Sequence, residues 1–341
     1  MNAIDFFLPA RLACSLLPVL IFLAILIWLD SFKLIRFRVV LHALFFGGLA
    51  ALASLLINLS MFHFFAPDLK MYARYVAPVL EESCKALYVV YLIRTSRVGF
   101  MVDSAILGFT LGAGFACVEN IYYLQSLEDP NILLWIIRGF GTAVMHGGAT
   151  AIFAILSRQA SDRAASTSLR VFLVPLVAVI ALHSFFNHFF LPPVLSTITL
   201  LLALPLLMAV VFQRSESATR HWLELGFDTD QELLDLLTTE KMSGSRIGAY
   251  LQALRNTFPG EIMADILCLL RLRLELSIKA KGFLLLREAG FSPAPDPEIS
   301  SAFEELRYLE KSIGKTGMLA IKPFVSVSNR DLWQLQMLKQ N

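Results

Sequence analysis

The chain has 341 residues, of which 57% are hydrophobic and 16% charged, with a net charge of +2 and a mean hydropathy of +0.66. Soluble globular proteins carry about 25% charged residues, so this composition argues against an ordinary soluble protein. The sequence contains no CxxC pair and no basic run interleaved with aromatic residues, which argues against a thiolate zinc site and a nucleic-acid interface.

Charged residues divide the chain into two parts. Residues 1–213 hold 13 Lys and Arg and 10 Asp and Glu, whereas residues 214–341 hold 16 and 17. We therefore predict an all-α protein, with a polytopic transmembrane helix bundle over 1–213 and a helical cytoplasmic accessory domain over 214–341.

Seven segments have the roughly 20 apolar residues that a helix needs to cross the hydrocarbon core. They are 12–29, 39–62, 75–93, 104–124, 138–157, 171–191 and 194–213. The first is long for a signal peptide and is followed by basic residues, so we interpret it as a retained transmembrane helix.

Lys and Arg residues are distributed unequally between the two sets of short loops, which predicts the orientation. One set carries eight: Lys33, Arg36, Arg38, Arg94, Arg97, Arg158, Arg163 and Arg170. The other set carries four, Arg11, Lys70, Arg74 and Arg138, together with Glu128 and Asp129. The N-terminus is therefore predicted to be outside and the C-terminus cytoplasmic.

The third predicted span contains three ionisable residues. A charged side chain in the bilayer costs about 2.5–3.5 kcal/mol even on a lenient insertion scale, so such residues usually face the bundle interior and have a function. Glu81 and Lys85 are four residues apart and are predicted to pair on one helix face. Glu82 points about 100° away and cannot use the same partner equally well.

The fourth span combines a small-residue face with two polar residues. Gly108 and Gly112 are spaced for the close approach of another helix. Glu119 and Asn120 follow near the end of the span. Asn120 has the alternative role of a helix-end residue, whereas Glu119 is predicted to belong to a buried site.

The fifth and sixth spans contribute histidines. His146 is followed by Gly147 and Gly148, which leave space beside its imidazole. His183 and Asn187 are four residues apart on one face of the sixth span, and His188 is interpreted as an interfacial residue at the helix end. A lone buried histidine is often only structural, so the interpretation depends on the four spans together.

The tail shows helical spacing of apolar residues in 220–237, 245–257, 260–289 and 300–313. Pro259 and Gly260 separate the second of these segments from the third, and the sequence SPAPDP at 292–297 predicts a loop. No catalytic motif occurs in the tail, which favours an accessory or regulatory role.

The polar residues of the four spans are predicted to lie at one depth. With the orientation given above and a rise of 1.5 Å per residue, the acidic, histidine and amide side chains fall about 8–12 Å from the outer ends of their helices. One polar layer in the outer half of the membrane is therefore predicted.

Two mechanisms fit such a layer. In the glutamate mechanism Glu81 takes a proton from water, and His146, His183 and Asn187 stabilise the oxyanion, so that no cofactor is needed. In the metal mechanism Glu81, His146 and His183 bind zinc and leave a position for water. The sequence has no HExxH motif, which weakens the metal alternative.

These residues resemble the PrsW family of intramembrane proteases. The resemblance rests on Glu81-Glu82-x-x-Lys85, the GFAxxEN segment from Gly114 to Asn120, His146, and His183-x-x-x-Asn187, in this order over residues 75–190. It implies a polytopic α-helical protease of the superfamily that includes the prenyl-protein CAAX endopeptidases, in the bacterial inner membrane. Family members cleave single-span membrane proteins close to the extracytoplasmic face.

Carried over by motif, the resemblance implies that Glu81 and Glu82 are the catalytic carboxylates. Glu119, His146, His183 and Asn187 would complete the site, with Lys85 and Asn120 in supporting positions. The superfamily also includes the Aph-type subunit of gamma-secretase, a scaffold. A non-catalytic scaffold and a proton-coupled transporter are therefore the alternatives to an intramembrane protease.

Overall fold

The computed structural model describes residues 8–33, 35–65, 68–126, 131–188, 190–238, 246–291, 294, 296–325 and 329–339. Within these residues every regular element is a helix, which confirms the predicted all-α class. The chain forms two compact units, Met1–Glu216 and Ser217–Asn341.

The first unit is built from long helices joined by short segments. Its α-helices are α1 (Leu8–Trp28), α2 (Phe37–Phe65), α3 (Leu69–Met71), α4 (Ala77–Arg94), α5 (Met101–Ser126), α6 (Ile132–Ile137), α7 (Val144–Ala164), α8 (Leu173–Asn187) and the first part of α9 (Pro193–Thr238). Two π-helical segments, Tyr72–Val76 and Arg138–Ala143, join α3 to α4 and α6 to α7. A 3₁₀ turn, Leu169–Phe172, precedes α8.

Six helical segments in the described part of the chain are long and apolar enough to cross a membrane. They are Leu8–Trp28, Phe37–Phe65, Met101–Ser126, Ile132–Ala164, Leu169–Asn187 and Pro193–Thr238. The third predicted span also forms a helix, α4, but Glu81, Glu82, Lys85 and Arg94 make it less apolar than the others. The structure therefore gives six strongly apolar helical segments, compared with the seven spans predicted, and α4 carries the acidic pair.

The centre of the first unit is formed by α5 and by the segment that contains α7. In their apolar windows 83% and 78% of the residues are buried, compared with a third or less in the other four segments. A hydrophobic cluster joins α4 to this centre through Val89, Ile93, Leu111 and Phe153. The peripheral helices instead expose large apolar side chains such as Leu56 and Val174, as expected of surfaces in contact with lipid.

Close backbone contact between α5 and α7 confirms the packing role predicted for Gly108 and Gly112. A Cβ atom added at Gly108 would lie 2.7 Å from the carbonyl oxygen of Thr150, and one at Gly112 would lie 2.3 Å from that of His146. Only glycine permits this approach, so α5 fixes the height at which α7 presents His146.

The loop between α4 and α5 is held by buried polar groups. Asp103 accepts hydrogen bonds from the backbone N–H groups of Gly99 and Phe100, and so caps α5. Arg158, which is fully buried, donates to the carbonyl oxygen of Val98 at 3.1 Å and pairs with Asp162 at 2.6 Å. These contacts connect the loop that follows α4 to α5 and α7 at the end of the bundle that lies away from the histidines.

The second unit is helical, as predicted. It contains the end of α9 together with α10 (Arg246–Arg255), α11 (Gly260–Glu288), α12 (Pro297–Ala320), α13 (Lys322–Val325) and α14 (Asn329–Lys339). The predicted break at Pro259 and Gly260 is confirmed, because α11 begins there. Within the predicted loop at 292–297, Ser292, Pro293 and Pro295 lie outside the described residues, and Asp296 caps α12. The sequence did not predict α13 and α14.

The prediction of separate helices over 194–213 and 220–237 was wrong. They form one helix, α9, of 46 residues. The intervening residues 214–219 contain neither Gly nor Pro, so no residue there ends the helix. Pro205 lies within α9 without ending it.

Candidate active site

The acidic residues of α4 have different partners. Lys85 is fully buried, and its Nζ donates to Oε1 of Glu82 at 2.6 Å. The predicted pairing of Lys85 with Glu81 was therefore wrong. Residues three apart on a helix are neighbours as well as residues four apart, and here the shorter spacing is used. Glu81 remains available for other contacts.

His183 lies between the two glutamates. Its Nδ1 is 2.7 Å from Oε1 of Glu82, and its Nε2 is 3.9 Å from Oε2 of Glu81. His183 and Glu82 are almost completely buried, whereas the Glu81 side chain retains 14% of its exposure. Glu82 thus fixes the imidazole, and the opposite ring nitrogen faces the more accessible carboxylate.

His146 connects this pair to a second acidic helix. Its Nδ1 lies 3.2 Å from the Nζ of Lys85, and its Nε2 lies 2.8 Å from Oε2 of Glu119. The His146 and His183 rings meet edge to face, with centroids 5.0 Å apart. The carboxylates, histidines and lysine predicted from four separate spans therefore form one cluster, which we call the acid–histidine cluster: Glu81, Glu82, Lys85, Glu119, His146 and His183.

An arginine that sequence reasoning missed completes the Glu119 side of the cluster. Nη2 of Arg138 lies 3.7 Å from Oε1 of Glu119, and its Nε donates to the side-chain oxygen of Asn120 at 3.1 Å. Asn120 is buried and donates in turn to the carbonyl oxygen of Ser15 in α1. Asn120 is therefore a bridge between helices and more than a helix-end residue. The Lys and Arg count places Arg138 in a loop, because an apolar run follows it.

Asn187 does not join the acid–histidine cluster. Its side chain donates to the carbonyl oxygen of Ala73 at 2.9 Å, near the end of α8. The neighbouring Ser184 donates to the carbonyl oxygen of Arg74 at 2.6 Å. Both bonds tie α8 to the π-helical segment that precedes α4. The predicted catalytic position of Asn187 thus corresponds to a connecting role in this structure, and His188 likewise lies outside the cluster.

Both π-helical segments lead directly into helices of the acid–histidine cluster. Tyr72–Val76 precedes α4, and Arg138–Ala143 precedes α7. Such segments are frequent at functional sites because the wider turn redirects side chains. In the second segment Gly139 packs against the backbone of α1, where an added Cβ would lie 1.8 Å from the carbonyl oxygen of Cys14.

Three members of the cluster have the chemistry of a metal site. Donor atoms of Glu81, His146 and His183 all lie within 4.8 Å of one another. Two imidazoles and a carboxylate are ligands that catalytic zinc commonly uses. The contact between His183 Nδ1 and Glu82 resembles the second-shell carboxylate that orients a zinc-binding histidine. The donor set therefore fits zinc, although the ammonium of Lys85 also occupies the space beside His146.

Comparison with known families identifies a match that covers the cluster. The model of a family described as PrsW family intramembrane metalloprotease matches residues 36–212, slightly more than half of the chain. The matched region contains the whole acid–histidine cluster and ends before the second unit begins. Comparison with curated proteins and with solved structures finds no match.

Proposed function

The chain belongs to the PrsW family of intramembrane proteases, and from this membership we propose that it is an endopeptidase that cleaves single-span membrane proteins. The acid–histidine cluster is the proposed catalytic centre. The distribution of Lys and Arg supports an orientation with the N-terminus outside and the tail in the cytoplasm. In that orientation cleavage takes place in the outer half of the membrane.

The observation that carries this proposal is the difference between Glu81 and Glu82. Glu82 is engaged by Lys85 at 2.6 Å and by His183 at 2.7 Å. Glu119 is engaged by His146 and Arg138. In the described part of the chain, the nearest basic nitrogen to the Glu81 carboxylate is His183 Nε2 at 3.9 Å. Glu81 is therefore the carboxylate of the cluster best placed to accept a hydrogen bond, and then a proton, from a water molecule.

A water molecule between Glu81 and His183 would be activated by Glu81 acting as general base. The carboxylate takes one proton, the water oxygen bonds to the carbonyl carbon of the peptide, and the carbonyl oxygen becomes an oxyanion. The positive charge of the Lys85 ammonium, which lies beside His146, stabilises this negative charge through space. Transfer of the proton from Glu81 to the leaving nitrogen then releases the two peptide products.

Glu82 and Lys85 have positioning roles in this mechanism. Lys85 lies within 3.2 Å of both Glu82 and His146, so it holds the two halves of the cluster together. Glu82 keeps one nitrogen of His183 occupied and leaves the other directed at Glu81. Neither residue needs to contact the substrate for these effects.

Zinc would use the same residues. Glu81, His146 and His183 would hold the ion, and the ion would supply Lewis-acid activation of water and of the peptide carbonyl. The family description supports this variant, whereas the position of Lys85 beside His146 supports the glutamate variant. Both variants require Glu81 and His183.

The test is a cleavage assay with the purified full-length protein in lipid vesicles and a panel of single-span membrane proteins. Glu81→Gln should abolish cleavage, and Glu304→Gln, at an exposed position of α12, is the matched control and should cleave normally. Inhibition by a chelator with recovery on addition of zinc would select the metal variant, and insensitivity to the chelator would select the glutamate variant. Normal cleavage by folded Glu81→Gln would disprove the proposed centre.

A further inference from the structure

The oxyanion that forms on the scissile peptide bond needs a hydrogen-bond donor, and the donors of the acid–histidine cluster already have partners. Nζ of Lys85 donates to Glu82 and lies 3.2 Å from Nδ1 of His146. The other nitrogen of His146 lies 2.8 Å from Glu119. His183 turns one nitrogen to Glu82 and the other to the proposed general base. A further donor would have to come from a residue beside the cluster.

Two tyrosine hydroxyls lie within reach of the charge of the Glu81 carboxylate, those of Tyr72 and Tyr123. The Tyr72 hydroxyl already donates to the side-chain oxygen of Asn58 at 2.6 Å, and the Tyr72 side chain is almost completely buried. The Tyr123 hydroxyl has no hydrogen-bond partner among the residues that the structure describes, and its oxygen is not enclosed. Of the two phenols, Tyr123 is therefore the donor that is available to a substrate.

The position of Tyr123 beside the cluster follows from the spacing of residues in α5. Tyr123 follows Glu119 by four residues, so both side chains share one face, with about 6 Å between them along the helix axis. Cζ of Arg138 lies 3.8 Å from the centre of the Tyr123 ring, and Nη2 of the same guanidinium lies 3.7 Å from Oε1 of Glu119. A cation is attracted to the face of an aromatic ring, so Arg138 restricts the rotation of the phenol.

The exposed fraction of the side chains decreases from Glu81 and Glu119 towards Lys85. The Glu81 and Glu119 side chains keep 14% and 22% of their exposure, and Tyr123 is half-buried. Lys85, by contrast, is completely buried, and Nη2 of Arg138 is enclosed by the protein. A peptide that reaches Glu81 can therefore contact the Tyr123 hydroxyl, whereas both cationic groups are out of direct contact.

We propose that Tyr123 is a catalytic residue, whose hydroxyl donates a hydrogen bond to the carbonyl oxygen of the peptide bond that is cleaved. This inference rests on the proposed function. As water adds to the carbonyl carbon, negative charge grows on the oxygen and the hydrogen bond becomes stronger. The phenol keeps its proton throughout, because the proton taken from water passes through Glu81 to the leaving nitrogen. Lys85 acts on the same negative charge through space, and Tyr123 donates to it directly.

The test compares two neighbouring tyrosines of α5. Tyr123→Phe removes the hydroxyl and keeps the ring that packs on Arg138, so the variant should fold normally. Tyr122→Phe removes the same group from a side chain that is 39% exposed and points about 100° away, so it is the matched control. Each full-length protein is purified in lipid vesicles and is given the single-span substrate that is cleaved in the assay above. The measurements are kcat, KM and the melting temperature.

Tyr123→Phe should lower kcat by about 100-fold or more, because the loss of one oxyanion donor costs about 10²–10³-fold in kcat. KM should change little, since the hydrogen bond is strongest in the transition state, and the melting temperature should be that of the wild type. Tyr122→Phe should match the wild type in all three measurements.

Equal kcat values for the two variants would overturn the role of Tyr123 and would leave the proposed function intact. A change in KM alone, or a loss in kcat together with a lower melting temperature, would also overturn this role, because substrate binding or packing would then account for the effect. A wild type that cleaves no single-span protein would instead overturn the proposed function, and the role of Tyr123 with it.

Discussion

His183 Nδ1 lies 2.7 Å from the carboxylate of Glu82, a residue of α4 that stands 101 positions earlier in the chain. This contact fixes the rotation of the imidazole and directs its other nitrogen towards Glu81. The adjacent glutamates of α4 therefore have different roles: Glu82 positions His183, and Glu81 is the proposed general base.

Exchange of each glutamate for glutamine should give different losses. Glu81→Gln should lower kcat by at least about 100-fold, because it removes the general base, and should leave the melting temperature unchanged. Glu82→Gln should lower the free energy of unfolding by about 3 kcal/mol, because it leaves the buried ammonium of Lys85 without its counter-charge. Cleavage rates and thermal unfolding in the same vesicles would measure both effects. Equal melting temperatures for the two variants would contradict the assignment.

The partner of Lys85 can be identified by double-mutant cycles. Lys85→Met combined with Glu82→Gln should show a coupling energy of about 1–3 kcal/mol in unfolding, because these side chains are in direct contact. The cycle of Lys85→Met with Glu81→Gln should give a smaller value. A larger coupling with Glu81 would restore the i, i+4 pairing that the sequence suggested.

Close packing at Gly112 should control the position of His146. Gly112→Ala places a Cβ atom 2.3 Å from the carbonyl oxygen of His146, so α5 and α7 must separate. We expect a loss of about 1–3 kcal/mol in stability and reduced cleavage. Gly282→Ala in α11 is the control, because nothing lies within 4 Å of its added Cβ, and it should be neutral or slightly stabilising. Thermal unfolding of the two variants separates crowding from a general effect of alanine.

Arg138 should influence catalysis through Glu119 and Asn120. Arg138→Gln removes the guanidinium that contacts both side chains. Glu119, the partner of His146 Nε2, then loses its contact with a positive charge. Comparable outer-shell changes cost 10–100-fold in activity, and we expect a loss of about tenfold in kcat with little change in KM. Arg163→Gln, at an exposed position near the end of α7, should cleave like the wild type. A change confined to KM would show that Arg138 acts on substrate binding instead.

The composition of the cluster was largely predictable from the sequence, and its pairing was not. Charged residues are unfavourable in a bilayer, so those found in four apolar spans had reason to meet, and the structure brings Glu81, Glu119, His146 and His183 together. Helical spacing alone could not decide between Glu81 and Glu82 as the partner of Lys85, because both separations allow contact. The direction of α8 relative to its neighbours decided that Asn187 bonds to Ala73.

Basic residues at the ends of spans were the other source of error. The Lys and Arg count places Arg138 and Arg158 in loops, because each flanks an apolar run. In the structure Arg158 is fully buried and Arg138 supports the acid–histidine cluster. Their roles depend on acceptors supplied by other helices, which a single sequence does not place. The extent of α9 was mispredicted for a different reason: the sequence changes from apolar to charged near residue 214, but residues 214–219 contain no Gly or Pro, and the helix continues through them.

The two π-helical segments decide where the chain near the cluster can change length. Each segment fits one residue more into its turn than an α-helix would, so that residue is absorbed without rotating the helix that follows. Removal of a single residue from Arg138–Ala143 would let the segment revert to α-helical turns and would leave His146 directed at Glu119. A deletion in α-helical turns instead rotates the residues that follow by about 100°. The π-helical segment is therefore a place where the chain can lose a residue and keep the site.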